Sequence, residues 1–579
     1  MAEWDLEVDL LVVGSGAAAM SAGIRAHDLG LDVLLIEKGA AYGGSTAMSG
    51  GVCWAGNNMH MPKAGVADSD RETLAYLLDI TEGATPLAHL ETYVRESKRV
   101  LEYFAARTHV RFTPLAQYCD YYPERSGGKP GARSLEPDPF DGARLGDDFI
   151  HLHRPADSAL VLGKFMITAR AAKKLIMLGV ASALLLAWAL VRYGLRHPKR
   201  RRFGRDTYLT NGNALVARLR LSLKDRGVPI WLEAPAVDLI ESDGRVLGAV
   251  IEKGGARVRV RARRGVLLAC GGFERNLEMR LEAGRQPVST EWTAGNEHNT
   301  GDGITFGRRV GASTSLMDEA WWTPVTQYPG VKSGWVMVVE KSLPGGIFVN
   351  QEGQRFTNEA APYIDVVVQM YRDHAKTGKS IPAWMIFDGR YRHHYIAGPV
   401  GPGKFLPDRV LPKRVREKLL IKADGVEELA CKLSMDPDAL VATVTRYNRM
   451  ASAGKDDDFG RGESLSDRYY GDDRIKPNPC MAPLSAPPYY AIPVYPGDLG
   501  TKGGLRIDTN ARVLDDHDRP IAGLYAAGNT TASIMGRSYP GAGGTIGPAL
   551  CFGFLAAEHA AQSTQAHAPT APRAVAVSA

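Results

Sequence analysis

The sequence predicts an α/β protein, and three observations carry that expectation. Gly14-Ser15-Gly16-Ala17-Ala18 follows the apolar run Leu10–Val13 and precedes Glu37, which ends a second short run, Asp32–Glu37. Lys38–Gly51 is a stretch of small and hydroxyl residues, and near the far end Ile521–Asn529 reads as a strand closing on Gly528, with Gly541–Leu550 a glycine turn opening a helix to about Ala560. Together they describe a Rossmann-like nucleotide domain built from both ends of the chain.

Taken in order, the first glycine of Gly14-Ser15-Gly16 permits a tight strand-to-helix turn, and the second lets the helix N-terminus approach a pyrophosphate. Glu37 would then take the ribose hydroxyls. Gly-Ala-rich turns also serve close helix packing, so this stretch alone leaves the cofactor open. Gly43, Gly44, Ser45, Thr46, Ser49, Gly50 and Gly51 narrow it. A nicotinamide has no evident need of a second glycine cluster, whereas a flavin ring must be flanked by backbone at close approach; a plain surface loop is the competing account. The helix opened at Gly541–Thr545 offers its positive end to the carbonyl edge of a reduced, anionic flavin.

Between these ends, a helical region is expected from about Arg71 to Thr108, broken near Glu82–Pro86, then a Gly- and Pro-rich loop, Tyr118–Gly142. Asn213–Arg226 reads as a helix, Ile230–Ala234 as a strand, and Val237–Glu252 with Val258–Leu268 as an antiparallel pair ending at Gly271-Gly272. The expected organisation is a nucleotide domain over 1–301 and 487–562, a substrate domain over 302–486, and a disordered tail over 563–579.

The 579 residues are too many for one average domain. A net charge of +6 without basic and aromatic interleaving argues against nucleic acid. Six cysteines with no CxxC pair suggest a reducing compartment and no structural metal. Glu3, Asp5, Glu7 and Asp9 are the wrong charges for a signal peptide, so the cytoplasm or its membrane face is expected. One segment favours the membrane face: Leu175–Val191 carries no charge and is followed by Arg192, Arg196, Lys199, Arg200, Arg201, Arg202 and Arg205. Anionic headgroups would account for that basic run better than a buried core helix does, and a helical hairpin dipping into one leaflet, over 171–205, is preferred to a crossing.

With these motifs in hand, the chain closely resembles the 3-ketosteroid Δ1-dehydrogenases, flavoproteins related to the soluble fumarate reductase group. The resemblance runs over nearly the whole length and is carried by Gly14-Ser15-Gly16 with Glu37, Gly43-Gly44-Ser45-Thr46, Ser49-Gly50-Gly51 with Trp54, Asp120-Tyr121-Tyr122-Pro123-Glu124, Asn299-Thr300-Gly301-Asp302-Gly303, Asn358-Glu359-Ala360-Ala361-Pro362-Tyr363, Pro496-Gly497-Asp498-Leu499-Gly500-Thr501 and Ser538-Tyr539-Pro540-Gly541-Ala542-Gly543. The insertion looks like that of longer, membrane-associated forms in sterol-degrading bacteria.

The resemblance implies an FAD-binding domain of the fumarate reductase/succinate dehydrogenase type with an inserted α+β catalytic domain, and a non-covalent FAD. It would be held by Gly14, Ser15, Gly16, Ala17, Ala18, Glu37, Lys38, Gly43, Gly44, Ser45, Thr46, Ser49, Gly50, Gly51, Val237, Gly271, Asp302, Gly528, Asn529, Gly544, Thr545 and Ile546. It further implies that Tyr539 and the N–H of Gly543 clamp the C3 carbonyl of an apolar steroid, that Tyr363 removes a C2 proton with Tyr118 hydrogen-bonded to it, and that flavin N5 takes the C1 hydride. In physical terms, a proton alpha to a ketone is unreactive until the developing oxyanion has donors. A tyrosine, of reference pKa about 10, needs help to act as a base near neutrality. The alternatives are a 3-ketosteroid Δ4-(5α)-dehydrogenase, a fumarate-reductase-like dicarboxylate reductase, for which no arginine and histidine cluster is visible, and a flavin-bearing protein without turnover. The electron acceptor is open, a quinone-like one being compatible with a membrane location on the cytoplasmic side of the bacterial inner membrane.

Overall fold

The computed structural model describes residues 4–176 and 180–563. Its central sheet holds five short parallel runs in the order Ile230–Trp231, Val33–Ile36, Leu6–Val13, the end of Ala256–Leu268, and Pro520–Ala526. The register aligns Trp231, Ile36, Val13, Leu268 and Ala526 in one row across the sheet. Parallel strands covered on both faces must be apolar throughout, which is why Leu10–Val13 and Val33–Ile36 carry no alternation.

The Ala17–Asp28 helix leaves the first strand and packs on the last helix, Ile546–Gln562. Ser21 Oγ donates to Leu550 O at 2.6 Å, and a Cβ at Gly553 would stand 2.3 Å from Ala18 O, so the two helices meet backbone to backbone. Helices from near the two ends of the chain are thereby joined. The expected antiparallel pair is instead a three-stranded meander: Ala236–Ser242 and Arg245–Lys253 form a hairpin, and Ala256–Leu268 pairs with the second of them before turning into the parallel sheet. Asp243 and Gly244 both have positive φ, the conformation that a two-residue hairpin turn demands.

A second sheet, wholly antiparallel, has Tyr489–Thr501 as its spine, with Ala320–Gln327 along one half and Ala383–Phe387 along the other. Gly346–Val349 flanks Ala383–Phe387, and its side chains alternate: Phe348 enters one buried cluster, Ile347 and Val349 the other. The spine begins within the stretch expected to belong to the nucleotide domain, yet pairs with strands of the 302–486 stretch and returns the chain to the first sheet.

The insertion folds as helices Ala169–Ile176, Val180–Leu195 and His197–Phe203. Among the described residues no helix is long and apolar enough to cross a membrane. Part of the apolar run packs inward, with Ala189, Leu186 and Tyr193 against Phe165. Leu184, Trp188, Val191 and Leu195 lie outward at helical spacing, 67%, 60%, 60% and 79% exposed. The expected disordered tail lies outside the described residues except for Ser563.

Candidate active site

The row of parallel strand ends places the predicted cofactor residues together. Gly14, Glu37, Ala269 and Ala527 each follow directly on a strand and bond to the neighbouring one: Gly14 N donates to Ile36 O at 2.7 Å, and Ala527 N to Leu268 O at 3.1 Å. Ligands of open α/β sheets bind at this edge. Gly14 has φ +113°, and a Cβ there would stand 2.2 Å from Ala269 O, so only glycine fits the turn. Ser15 Oγ donates to Glu37 Oε2 at 2.5 Å and accepts from Gly43 N at 3.0 Å, which ties three predicted segments at one hydroxyl. Thr46 Oγ1 accepts from Ala17 N, the opening N–H of the first helix, beside Ala18. Lys38 Nζ bonds to Thr300 Oγ1 and to Asp302 Oδ2, both at 2.7 Å.

Ser45 Oγ accepts from Asn299 Nδ2 at 2.9 Å, and Asn299 also donates to the buried Glu274 at 2.6 Å. Burial pushes that carboxyl up to about 7. Gly271 is pressed against the Asn299 amide, where a Cβ would meet Oδ1 at 2.4 Å. Val237 stands on the strand just after Ala234, whose N–H bonds to Glu37 O. Ser49 O accepts from Gly212 N, and a Cβ at Gly51 would overlap Asn211 at 2.5 Å, so the small-residue loop leans on the helix Asn211–Asp225. The sequence reading had not singled out Asn299, Glu274 or Gly212 as site residues.

On the other side of these glycines there is room. A Cβ at Gly44 would meet nothing within 4 Å, at Gly16 only Thr46 Oγ1 at 3.4 Å, at Gly50 only Val52 at 3.8 Å, and at Gly528 Ala18 Cβ at 3.5 Å. Crowded glycines and open ones lie along the same segments, and this glycine-lined edge is termed the trench. Asn529 Oδ1 accepts from Trp321 Nε1 at 3.3 Å, joining the trench to the second sheet.

Three tyrosines converge beyond it. The rings of Tyr121, Tyr363 and Tyr539 stand mutually edge-on, with centroids 5.2–5.5 Å apart. Tyr363 opens the helix Tyr363–Thr377, held by Pro362 before it. Tyr539 sits in the 538–544 turn, whose Pro540 O accepts from Tyr76 Oη at 2.6 Å and from Tyr121 N at 3.1 Å. Tyr539 Oη lies 3.4 Å from Thr545 Oγ1, beside Gly544 and one residue before Ile546 starts the last helix. Gly543 has φ +101°, its carbonyl accepts from Trp54 N at 3.1 Å, and its N–H makes no hydrogen bond among the described residues.

One expectation is corrected here. The hydroxyl bonded to Tyr363 belongs to Tyr121, which donates at 3.0 Å, and Tyr118 reaches Tyr121 instead, at 3.4 Å. Two of the four residues in the 118–121 stretch are tyrosines, and spacing alone does not resolve which of them reaches Tyr363. Tyr118 is held elsewhere, its ring 4.3 Å from that of Tyr469. Burial drives Tyr363 and Tyr121 well above the usual phenol range and raises Tyr539 as well. All three are neutral at pH 7 in the ligand-free protein. The space before them, a narrow cavity of about 30 Å³, is lined by Tyr118, Tyr121, Tyr363, Tyr469, Tyr470 and Val338 among others.

Comparison with known proteins bears directly on this site. Residues 9–546 match the FAD binding domain family. A 3-oxosteroid 1-dehydrogenase of Mycobacterium tuberculosis is 42% identical over 96% of this chain and 98% of its own. The chain belongs to the 3-oxosteroid 1-dehydrogenase family. A crystal structure of the 3-ketosteroid Δ1-dehydrogenase from Sterolibacterium denitrificans in complex with 1,4-androstadiene-3,17-dione, 44% identical, superposes on 96% of this chain and all of its own with a TM-score of 0.93. A flavocytochrome c3 fumarate reductase, 23% identical with a TM-score of 0.62 over 97% of this chain and 79% of its own, shares the fold. This member of the 3-oxosteroid 1-dehydrogenase family is therefore an FAD protein, and the residues present fit the cofactor: a helix N-terminus beside Glu37, and the Gly543 N–H, which has no hydrogen-bond partner among the described residues.

Proposed function

We propose that this protein desaturates ring A of 3-oxo-4-ene steroids, cholest-4-en-3-one among them, to 1,4-dien-3-ones. The observation that supports this best is the Tyr121–Tyr363–Tyr539 cluster at the meeting of trench and cavity. Tyr539 Oη and Gly543 N–H are two donors on one turn, suited to a ketone oxygen that gains charge as the enolate forms. Tyr363 Oη, receiving a hydrogen bond from Tyr121, is the acceptor suited to the C2 proton. The apolar rings around them exclude water and take the steroid skeleton by area burial. FAD, when bound, supplies the acceptor for the C1 hydride. The test is anaerobic titration of the yellow protein with cholest-4-en-3-one and androst-4-ene-3,17-dione. Flavin bleaching with a 1,4-dien-3-one product supports the assignment; no bleaching with either, or bleaching only by the saturated 5α-androstane-3,17-dione with a 4-en-3-one product, overturns it.

We also propose that the insertion seats the protein on the cytoplasmic face of a membrane, where sterols and a quinone-like acceptor both dissolve. Supporting this are the exposed Leu184, Trp188, Val191 and Leu195, with exposed Lys199, Arg201 and Arg202 behind them. The same insertion touches the cavity wall: Lys173 Nζ lies 4.0 Å from the ring centroid of Tyr469. Replacing Leu184, Trp188 and Val191 by serine is expected to abolish flotation with phosphatidylglycerol vesicles while FAD stays bound. Unchanged flotation would exclude the insertion as the anchor.

A further inference from the structure

Only two lysines are buried among the residues whose burial is described, Lys341 at 4% and Lys502 at 0% exposure. A buried amine is costly unless its hydrogens are taken up, so its partners show what it is for. Lys341 Nζ donates to Glu359 O at 3.3 Å, to Ala360 O at 3.1 Å and to Ala361 O, matching three donors with three consecutive carbonyls. The next two residues are Pro362 and Tyr363. Lys502 Nζ donates to Gly536 O at 3.2 Å and to Ser538 O, and the next residue is Tyr539. It also lies 4.5 Å from the ring centroid of Trp321, whose own ring is 4.6 Å from that of Tyr539.

We propose that Lys341 and Lys502 are the positioning residues of the two reacting tyrosines, each gathering the carbonyls of the loop that leads into one of them. This rests on the roles given above to Tyr363 and Tyr539. Three hydrogens of Lys341 and two of Lys502 are engaged on backbone carbonyls. Each does what no apolar side chain could: it draws successive carbonyls to one point and so fixes the path of the chain into the tyrosine. A displacement of about 1 Å at a reacting group is enough to cost about 100-fold in rate.

The two sites are linked. Asp365, in the first turn of the helix that Tyr363 opens, accepts from Tyr122 Oη at 3.0 Å, and both lysines draw its carboxyl downward against the burial that raises it. Asp467, Arg461 and Cys480 also act on Lys341, and Glu319 and Arg537 on Lys502. Both amines therefore stand among opposing charges, Lys341 in the cavity lining itself and Lys502 beside Trp321.

The experiment uses FAD-loaded Lys341→Met, Lys502→Met and the corresponding glutamine variants, which keep two donors. Lys341→Met is expected to slow flavin reduction about 100-fold, to raise the isotope effect with 2-deuterated androst-4-ene-3,17-dione, and to leave binding of oestradiol, a phenolic stand-in for the enolate, nearly unchanged. Lys502→Met is expected to weaken oestradiol binding about ten-fold, with Lys502→Gln restoring most of it. A merely structural role would move neither the isotope effect nor the contrast between the two positions. A methionine variant whose flavin-reduction rate and oestradiol affinity both stay within about three-fold of wild type overturns the assignment, and if it fails to fold the leucine variant at that position is judged by the same criterion. Wild-type protein that does not desaturate the steroid at all would instead refute the functional proposal.

Discussion

In the role of base proposed for it, Tyr363 must lose its proton before it can take one, and its surroundings oppose that. Burial raises its hydroxyl well above the phenol range, neighbouring Tyr539 and Tyr118 raise it further, and only the hydrogen bond from Tyr121 works in the other direction. A base is active when deprotonated, so with a raised pKa the active fraction grows about ten-fold per pH unit until that pKa is reached. Stopped-flow flavin reduction at saturating steroid is therefore expected to accelerate steadily from pH 6 upward, with no plateau below about pH 10; a flat profile would show that another group is the base. The same contact ranks two variants. Tyr121→Phe removes the one donor to Tyr363 and is expected to cost about ten-fold or more in that rate, a net hydrogen bond being about 1–1.5 kcal/mol. Tyr118→Phe, one hydroxyl further away, is expected to cost less. The reverse order would restore Tyr118 as the immediate partner.

At the scale of elements, the parallel sheet was legible because its strands are unbroken apolar runs that end in glycine or at Glu37, and those ends are where the trench forms. The hairpin at Asp243-Gly244 carries its signal in the sequence, the stretch Glu241–Arg245 without an apolar side chain between two apolar runs, which a reading of Val237–Glu252 as one strand passes over. The second sheet was harder to foresee: its spine, Tyr489–Thr501, contains Pro493, Pro496, Gly497 and Gly500, which argue against a central strand. Within the site, residue types were readable but hydroxyl partners were not, since Tyr118 and Tyr121 differ only in which side of a turn they occupy. Motif residues without chemistry prove to be braces: Glu359 is held by Arg355 and Arg461, and Asp120 accepts from Trp54 Nε1 and Arg133. Gly543 joins both functions. A Cβ there would stand 2.4 Å from Trp54 N. Gly543→Ala is accordingly expected to displace the 538–544 turn and cost about 100-fold or more in flavin reduction, as loss of an oxyanion donor does, with FAD still bound; near-normal rates would mean the clamp is built elsewhere.

Across the whole molecule, segments from both ends of the chain meet at the site, and buried tyrosines pin loops, Tyr76 between the two ends and others within one stretch. Tyr76 bonds to Pro540 O, Tyr93 to Trp54 O, Tyr122 to Asp365 and Tyr391 to Glu340 O. Burial holds all four hydroxyls well above the phenol range, with neighbouring carboxyl groups adding to the shift at Tyr76, Tyr122 and Tyr391. In the unfolded chain each would ionise near pH 10. Where the folded pKa is the higher, the folded state keeps protons that the unfolded state releases, so the stability is fully present below pH 10 and is lost as pH rises beyond it. Each such group removes about 1.4 kcal/mol per pH unit there, and four together remove several kcal/mol between pH 10 and 11, comparable to much of a typical domain's stability. The expectation is a cooperative alkaline unfolding in which tyrosinate absorbance and loss of near-ultraviolet dichroism rise together. Tyrosinate appearing well before the dichroism is lost would show that these joints open to solvent without unfolding, and that the two ends of the chain are held by the helix pair and the cofactor instead.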